Sequence, residues 1–177
     1  MLKSIPSRYG TFPVTIHWLS AILIVVALGS GFQADNALSP DAKAALLRLH
    51  IPAALAVFLL TALRIVWWQS IDRKPLSVEG VTRWQNRLAH GVHVGFYIVI
   101  LGMIASGIGM MVLSGAGSVI FGAADEVLPN FHLYAPRLPH GFGANLLLAL
   151  LFAHVAAALY HHFIRRDGLL GRMWYGR

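Results

Sequence analysis

The chain has 177 residues and a formal net charge of +7, and 57% of it is hydrophobic with only 12% charged, against roughly 45–50% and about 25% for soluble domains. That balance excludes an ordinary water-soluble domain, and the lack of any cysteine excludes disulfides and thiolate metal sites, leaving nine histidines as the only obvious metal ligands. The excess of base would suit nucleic acid, but the Lys and Arg residues lie between apolar runs, so the charge is read against a membrane and no nucleic-acid partner is expected.

In chain order, four apolar runs are long enough to cross a bilayer at about 20 residues each: 11–31, 50–68, 89–113 and 140–163. The expected fold is therefore an all-α membrane protein, a single four-helix domain over 1–177. Lys3 and Arg8 ahead of the first run would also fit a secretory signal. The run exceeds the usual apolar core of a signal, about 7–15 residues, and His17 and Trp18 interrupt its start, so it is read as a span. The connections 33–49, 69–88 and 114–139 carry turn formers and charges, and none is large enough for a second domain.

Eleven of the fourteen basic residues fall on one side: Lys3 and Arg8, then Arg64, Arg73, Lys74, Arg83 and Arg87, then Arg165, Arg166, Arg172 and Arg177. Lys43, Arg48 and Arg137 fall on the other. The positive-inside rule then puts both termini in the cytoplasm. The acids split less sharply, with Asp72, Glu79 and Asp167 inside and Asp35, Asp41, Asp125 and Glu126 outside. Trp67 and Trp68 suit an interfacial belt at the inner end.

Depth and face sort the histidines. His140 and His154 are fourteen residues apart, which returns to within about 40° of one face and separates them by about 21 Å along the axis. With His140 at the outer edge of a core about 30 Å thick, His154 lies about 9 Å from the inner edge, and so does His17, six residues into the first span. His50 begins the second span at the outer end. The four form two pairs, His17 with His154 and His50 with His140. Two imidazoles on facing helices at each of two depths are what bis-histidine haem b requires, the porphyrin supplying the equatorial nitrogens. A lone intramembrane histidine is more simply a belt residue or a hydrogen-bonding partner for the next helix. Four matched in depth and face are not explained that way, and a zinc or non-haem iron site would want further protein ligands at each level.

The residues that carry these features resemble the bacterial cytochrome b561 family, four-helix di-haem proteins of the inner membrane. "RYGTFPVTIHWLSA" is similar to the family's opening, "LLRLHIPAALAVFLLTALRIVWW" to its second helix, "NRLAHGVHVGFYIVILGMIASGIGMM" to its third, and "PHGFGANLLLALLFAHVAAALYHHFIRRDGLLGRM" to its fourth. The resemblance puts the axial ligands on His17, His50, His140 and His154. Where the family reads Trp-His-Glu at the start of its fourth helix this chain has Pro139, His140 and Gly141, and 114–139 matches little.

Other polar groups take roles from position. Arg64, fourteen residues after His50, is expected at the inner level as a partner for a haem propionate, with snorkelling to the headgroups as the plainer alternative. Arg48 and Arg137, beside the outer ligands, either do the same for an outer haem or lie among headgroups. Gly95, Gly102 and Gly109 make a small-residue stripe on the third helix that suits close approach of a helix or a porphyrin. His90 and His93 are expected at the inner interface, His162 among headgroups, and His132 has no assigned role. His161, seven residues past His154 and about 10 Å nearer the cytoplasm, suits a quinone headgroup because imidazole both donates hydrogen bonds and carries protons, and the family resemblance also implies a quinone site there.

The expected function is one-electron transfer through two haem b groups between the periplasmic face and a membrane quinone; the family resemblance implies superoxide as donor and ubiquinone as acceptor, with a redox protein as the other donor considered. A cytochrome b subunit serving a hydrogenase-like or formate-dehydrogenase-like partner is the alternative within the class. A small transporter using histidine as a proton relay, with no haem, is the alternative outside it.

Overall fold

The computed structural model describes residues 1–78, 80–122 and 127–175; Glu79, Asp125, Glu126 and Arg177, counted above for orientation, lie outside them. The fold is all-α. Helix α1 is Thr11–Asp35, α2 is Pro40–Val66, α3 is Arg83–Ser114, the short α4 is Gly117–Phe121 and α5 is Arg137–Tyr160. A wider π turn continues α2 through Trp67–Ile71 and another continues α5 through His161–Arg165.

Four of these helices, α1, α2, α3 and α5, are long and apolar enough to cross a membrane. Their outward faces carry large apolar side chains, among them Ile22, Leu59, Ile98 and Phe152, each at least 60% exposed, which in a bare polypeptide marks surface meant for lipid. The first and last described residues, Met1 and Tyr175, lie at the end where α1 begins, called inner here. Helix α1 packs mainly on α2, and α3 on α5, with Ile24, Leu28, Val57, Ile100 and Leu147 at the centre where all four meet.

The helices run past the expected apolar runs, and caps explain where they stop. The second span was expected to begin at His50, yet α2 begins at Pro40, so most of the supposed connection 33–49 is helical. Ser39 accepts the Ala42 amide, Pro40 holds the first helical position and Asp41 sits in the positively polarised first turn. These signals are polar, so hydropathy alone passes over them. Helix α3 likewise starts at Arg83, behind a capping box in which Thr82 and Gln85 bond each other's backbone, and ends at Gly115 in a left-handed conformation. The connection 114–139 contains α4 and a 3-10 turn at Phe131–Leu133, with Ala116 and Ile120 wholly buried against Phe131.

At the inner end the N-terminal segment, the α2–α3 connection and the C-terminal tail are tied into a collar. Asp72 accepts the Ser4 amide at 2.9 Å, the Ser4 hydroxyl at 2.8 Å and the Trp67 indole at 3.1 Å. The Trp18 indole donates to the Met173 carbonyl at 2.8 Å, and Arg172 and Arg165 donate to the carbonyls of Leu76 and Gly80. Burial alone would raise the Asp72 carboxyl. Its hydrogen bonds, the Ser4 amide first, more than offset that and hold it below the usual carboxylate range.

Candidate functional site

Helices α2 and α5 bring His50 and His140 together near the outer end, ring centres 6.1 Å apart. Helices α1 and α5 bring His17 and His154 together nearer the inner end, ring centres 6.0 Å apart. A metal–imidazole bond is about 2.0–2.1 Å, and the ring centre lies about 1.1 Å behind its nitrogen, so two imidazoles sharing one axial metal hold their centres about 6.2 Å apart. Both pairs have the spacing of axial ligands. Among the described residues no group of three His, Cys, Asp or Glu side chains is disposed to hold a metal ion.

The outer pair faces a cavity of about 460 Å³ lined almost wholly by apolar side chains from all four long helices, with His50 and His140 among its few polar groups. That volume is within the ~300–1,000 Å³ of small-molecule and cofactor sites. Each outer ring is seated on the neighbouring helix at a glycine. A Cβ on Gly31 of α1 would stand 3.0 Å from two ring atoms of His50, and one on Gly107 of α3 would stand 3.4 Å from the His140 ring. The glycine stripe of α3 serves packing in part: Gly95 lies against Leu150 and Gly109 against Pro136, whereas Gly102 faces open space.

The arginines fall at both levels. Arg64 reaches the inner level, where its nearest polar partner is the Ser20 hydroxyl at 3.4 Å, and among the described residues it makes no ion pair. At the outer end Arg137 lines the cavity but is ion-paired with Asp35 at 2.7 Å, and Asp35 also stands 3.5 Å from His132. Arg48 is turned away to the Ile120 carbonyl, Nε to oxygen 2.5 Å. His132, without a role in the sequence, thus belongs to the charged mouth of the outer cavity.

Sequence reasoning placed His93 at the interface, but its ring centre lies 5.7 Å from that of His154, so a third imidazole stands at the inner level. His161 lies one π turn beyond α5, with Nδ1 2.5 Å from an Asp167 carboxylate oxygen and both side chains largely buried. The chain doubles back to make this contact through Arg166 and Gly168, both at positive φ. Glycine adopts that conformation freely; at Arg166 it costs about 1 kcal/mol or more. Burial would raise the Asp167 carboxyl, but the bonds from His161 and the Leu169 amide, with the nearby charges of His161 and Arg165, hold it low. A carboxylate on Nδ1 leaves Nε2 of His161 to face a ligand. His162 is exposed, its ring edge on Phe163.

A family model described as Prokaryotic cytochrome b561 matches residues 8–176. Cytochrome b561 homolog 1 of Escherichia coli (strain K12) is 28% identical over 173 residues, covering 94% of this chain and 97% of the relative. Probable superoxide oxidase CybB of Yersinia pestis is 27% identical over 176 residues, covering 94% and 95%, and cytochrome b562 of Cereibacter sphaeroides is 27% identical over 171, covering 93% and 94%. No solved structure matches the chain. With four membrane-spanning helices and a family match along nearly its whole length, this chain belongs to the prokaryotic cytochrome b561 family, as a multi-pass bacterial membrane protein that binds haem b and transfers electrons.

Proposed function

We propose that the chain carries single electrons between its outer face and a quinone at its inner end by way of two b haems, one held by His50 and His140 and one by His17 and His154. The observation that carries this reading is the pair of imidazole pairs, 6.0 and 6.1 Å between ring centres, at two depths on facing helices. Haem iron, when bound, supplies the one-electron redox couple. The polypeptide supplies axial nitrogens, an apolar jacket that excludes water, and charge near the propionates. Arg64 is assigned to an inner propionate and Arg137 to the outer mouth, while Arg48, turned to the Ile120 carbonyl, is left to the headgroup layer. His161 is assigned to the quinone headgroup, with Asp167 holding its tautomer. The excess of base at the end bearing both termini supports a cytoplasmic placement of that end and an inner-membrane location.

Superoxide is the electron donor favoured here, and ubiquinone the acceptor. The support is the likeness to a protein named as a probable superoxide oxidase and the cationic side chains Lys43 and Arg137 at the cavity mouth, where local positive charge favours an anion. Two superoxide anions each give up one electron and leave as dioxygen; the quinone takes both electrons and two protons and becomes the quinol. Stopped-flow mixing of the purified haem-loaded protein with superoxide tests this. Haem reduction faster than dismutation, followed by reoxidation on adding ubiquinone, is expected. Haems that stay oxidised would remove superoxide and point to a redox protein at the outer face, such as a hydrogenase-like or formate-dehydrogenase-like partner.

A further inference from the structure

The two histidine pairs are held differently. His50 has Nδ1 2.8 Å from the Ala27 carbonyl of α1. A carbonyl only accepts, so Nδ1 carries the proton and Nε2 keeps the lone pair. His140 has Nδ1 3.0 Å from the Ser106 hydroxyl of α3. That hydroxyl has a single proton, and it lies within bonding distance of the Gly102 and Met103 carbonyls at 2.9 and 3.0 Å, the usual back-bonding of a helical serine. With its proton spent on its own helix, Ser106 meets His140 as an acceptor, and Nδ1 is again the protonated nitrogen. Among the described residues, the rings of His17 and His154 make no such bond.

The seating of the rings reinforces the contrast. His50 lies on α1 where Gly31 leaves room, one turn from Ala27, and His140 lies on α3 where Gly107 leaves room, next to Ser106. Each outer imidazole is therefore fixed in tautomer and in rotation by a helix other than its own. An imidazole whose second nitrogen donates a hydrogen bond is a more basic, more electron-donating ligand, and such a ligand stabilises the oxidised metal.

We propose that Ser106 is a positioning residue of the outer centre: by accepting the Nδ1 proton of His140 it fixes Nε2 as the ligating nitrogen, lowers the potential of the outer haem and so favours electron flow inward. The inference rests on the assignment of a haem to each pair. It concerns direction, which the family match leaves open, and it gives the hydroxyl of α3 a task that helix packing does not need.

The test is an equilibrium redox titration of the purified haem-loaded protein, followed by haem absorbance, for wild type, Ser106→Ala, Ser106→Thr and His140→Ala. The outer component is identified as the one that His140→Ala removes. In Ser106→Ala the outer component is expected to become easier to reduce, its oxidised-to-reduced ratio at a fixed poise falling by roughly three- to tenfold, while the inner component stays put. Ser106→Thr keeps the hydroxyl and is expected to titrate as wild type. If Ser106→Ala sheds the outer haem while Ser106→Thr keeps it, the wild-type order decides: an outer component below the inner one supports the proposal, and one above it overturns it. An outer component unmoved in Ser106→Ala, equal movement of both components, or loss of the outer haem from the Ala and Thr variants alike would overturn it. A wild-type protein that titrates as one component would instead overturn the two-level assignment, and this proposal with it.

Discussion

Arg64 is the residue whose position most constrains the chemistry. A guanidinium at the inner level whose only polar partner among the described residues is a serine hydroxyl at 3.4 Å has given up hydration for little, and an intramembrane arginine is costly unless an anion meets it. A haem propionate is such an anion. Arg64→Met is expected to lower the inner-haem potential, because losing a nearby positive charge stabilises the oxidised, more positive iron; an unmoved inner component in a redox titration would return Arg64 to snorkelling. From sequence, Arg48 and Arg137 were expected beside an outer haem or among headgroups, whereas Arg137 is held by Asp35 and Arg48 by a carbonyl. An approaching anion must therefore compete with Asp35. Asp35→Asn is expected to speed reduction by superoxide at low salt by roughly two- to tenfold, with the gain fading as salt rises, and a slower or unchanged rate in stopped flow would contradict that. The four paired histidines were legible because depth and face follow from the 1.5 Å rise and 100° turn alone. The same arithmetic puts His93 about 6 Å from the inner edge against about 9 Å for His154, so its level was legible too. Its face was not, because contact depends on how α3 leans on α5. The carboxylate on His161 was hidden for another reason: a reversal through a left-handed arginine leaves no mark in composition.

Among the elements, span number and order were plain in hydropathy, and the ends were not. Polar caps such as Ser39 and Thr82 extend α2 and α3 into the headgroup region, where the apolar runs have already stopped. The extension matters to the site, since His50 now lies ten residues inside α2 and is seated on the side of α1 at Gly31. Elements at the inner end depend on Asp72, which ties the N-terminal segment to the end of α2. Its carboxyl is held below the ordinary value of about 3.9, so its stabilisation is complete above that value and is lost as pH falls through the lower, folded one. Limited proteolysis of the N-terminal segment is therefore expected to be slow at neutral pH and to quicken only below about pH 4. Asp72→Asn should raise the neutral rate toward the acid one. A neutral cleavage rate that Asp72→Asn leaves unchanged would show that the collar does not depend on this carboxylate.

As a whole the molecule is two helix pairs, α1 with α2 and α3 with α5, and each histidine pair joins a ring from the first to a ring from the second. If each pair holds a haem as proposed, cofactor binding would also clamp the two halves together. The apolar composition that announced a membrane protein says nothing of this division, which comes from packing between helices distant in sequence. The most direct measurement is the b-haem content per purified chain, taken as the pyridine haemochrome, in wild type and in variants that remove one ring from each level. Two haems are predicted for wild type, one in either His140→Ala or His154→Ala, and none in the double variant. A single haem in wild type, or loss of all haem from each folded single variant, would contradict two independent bis-histidine centres.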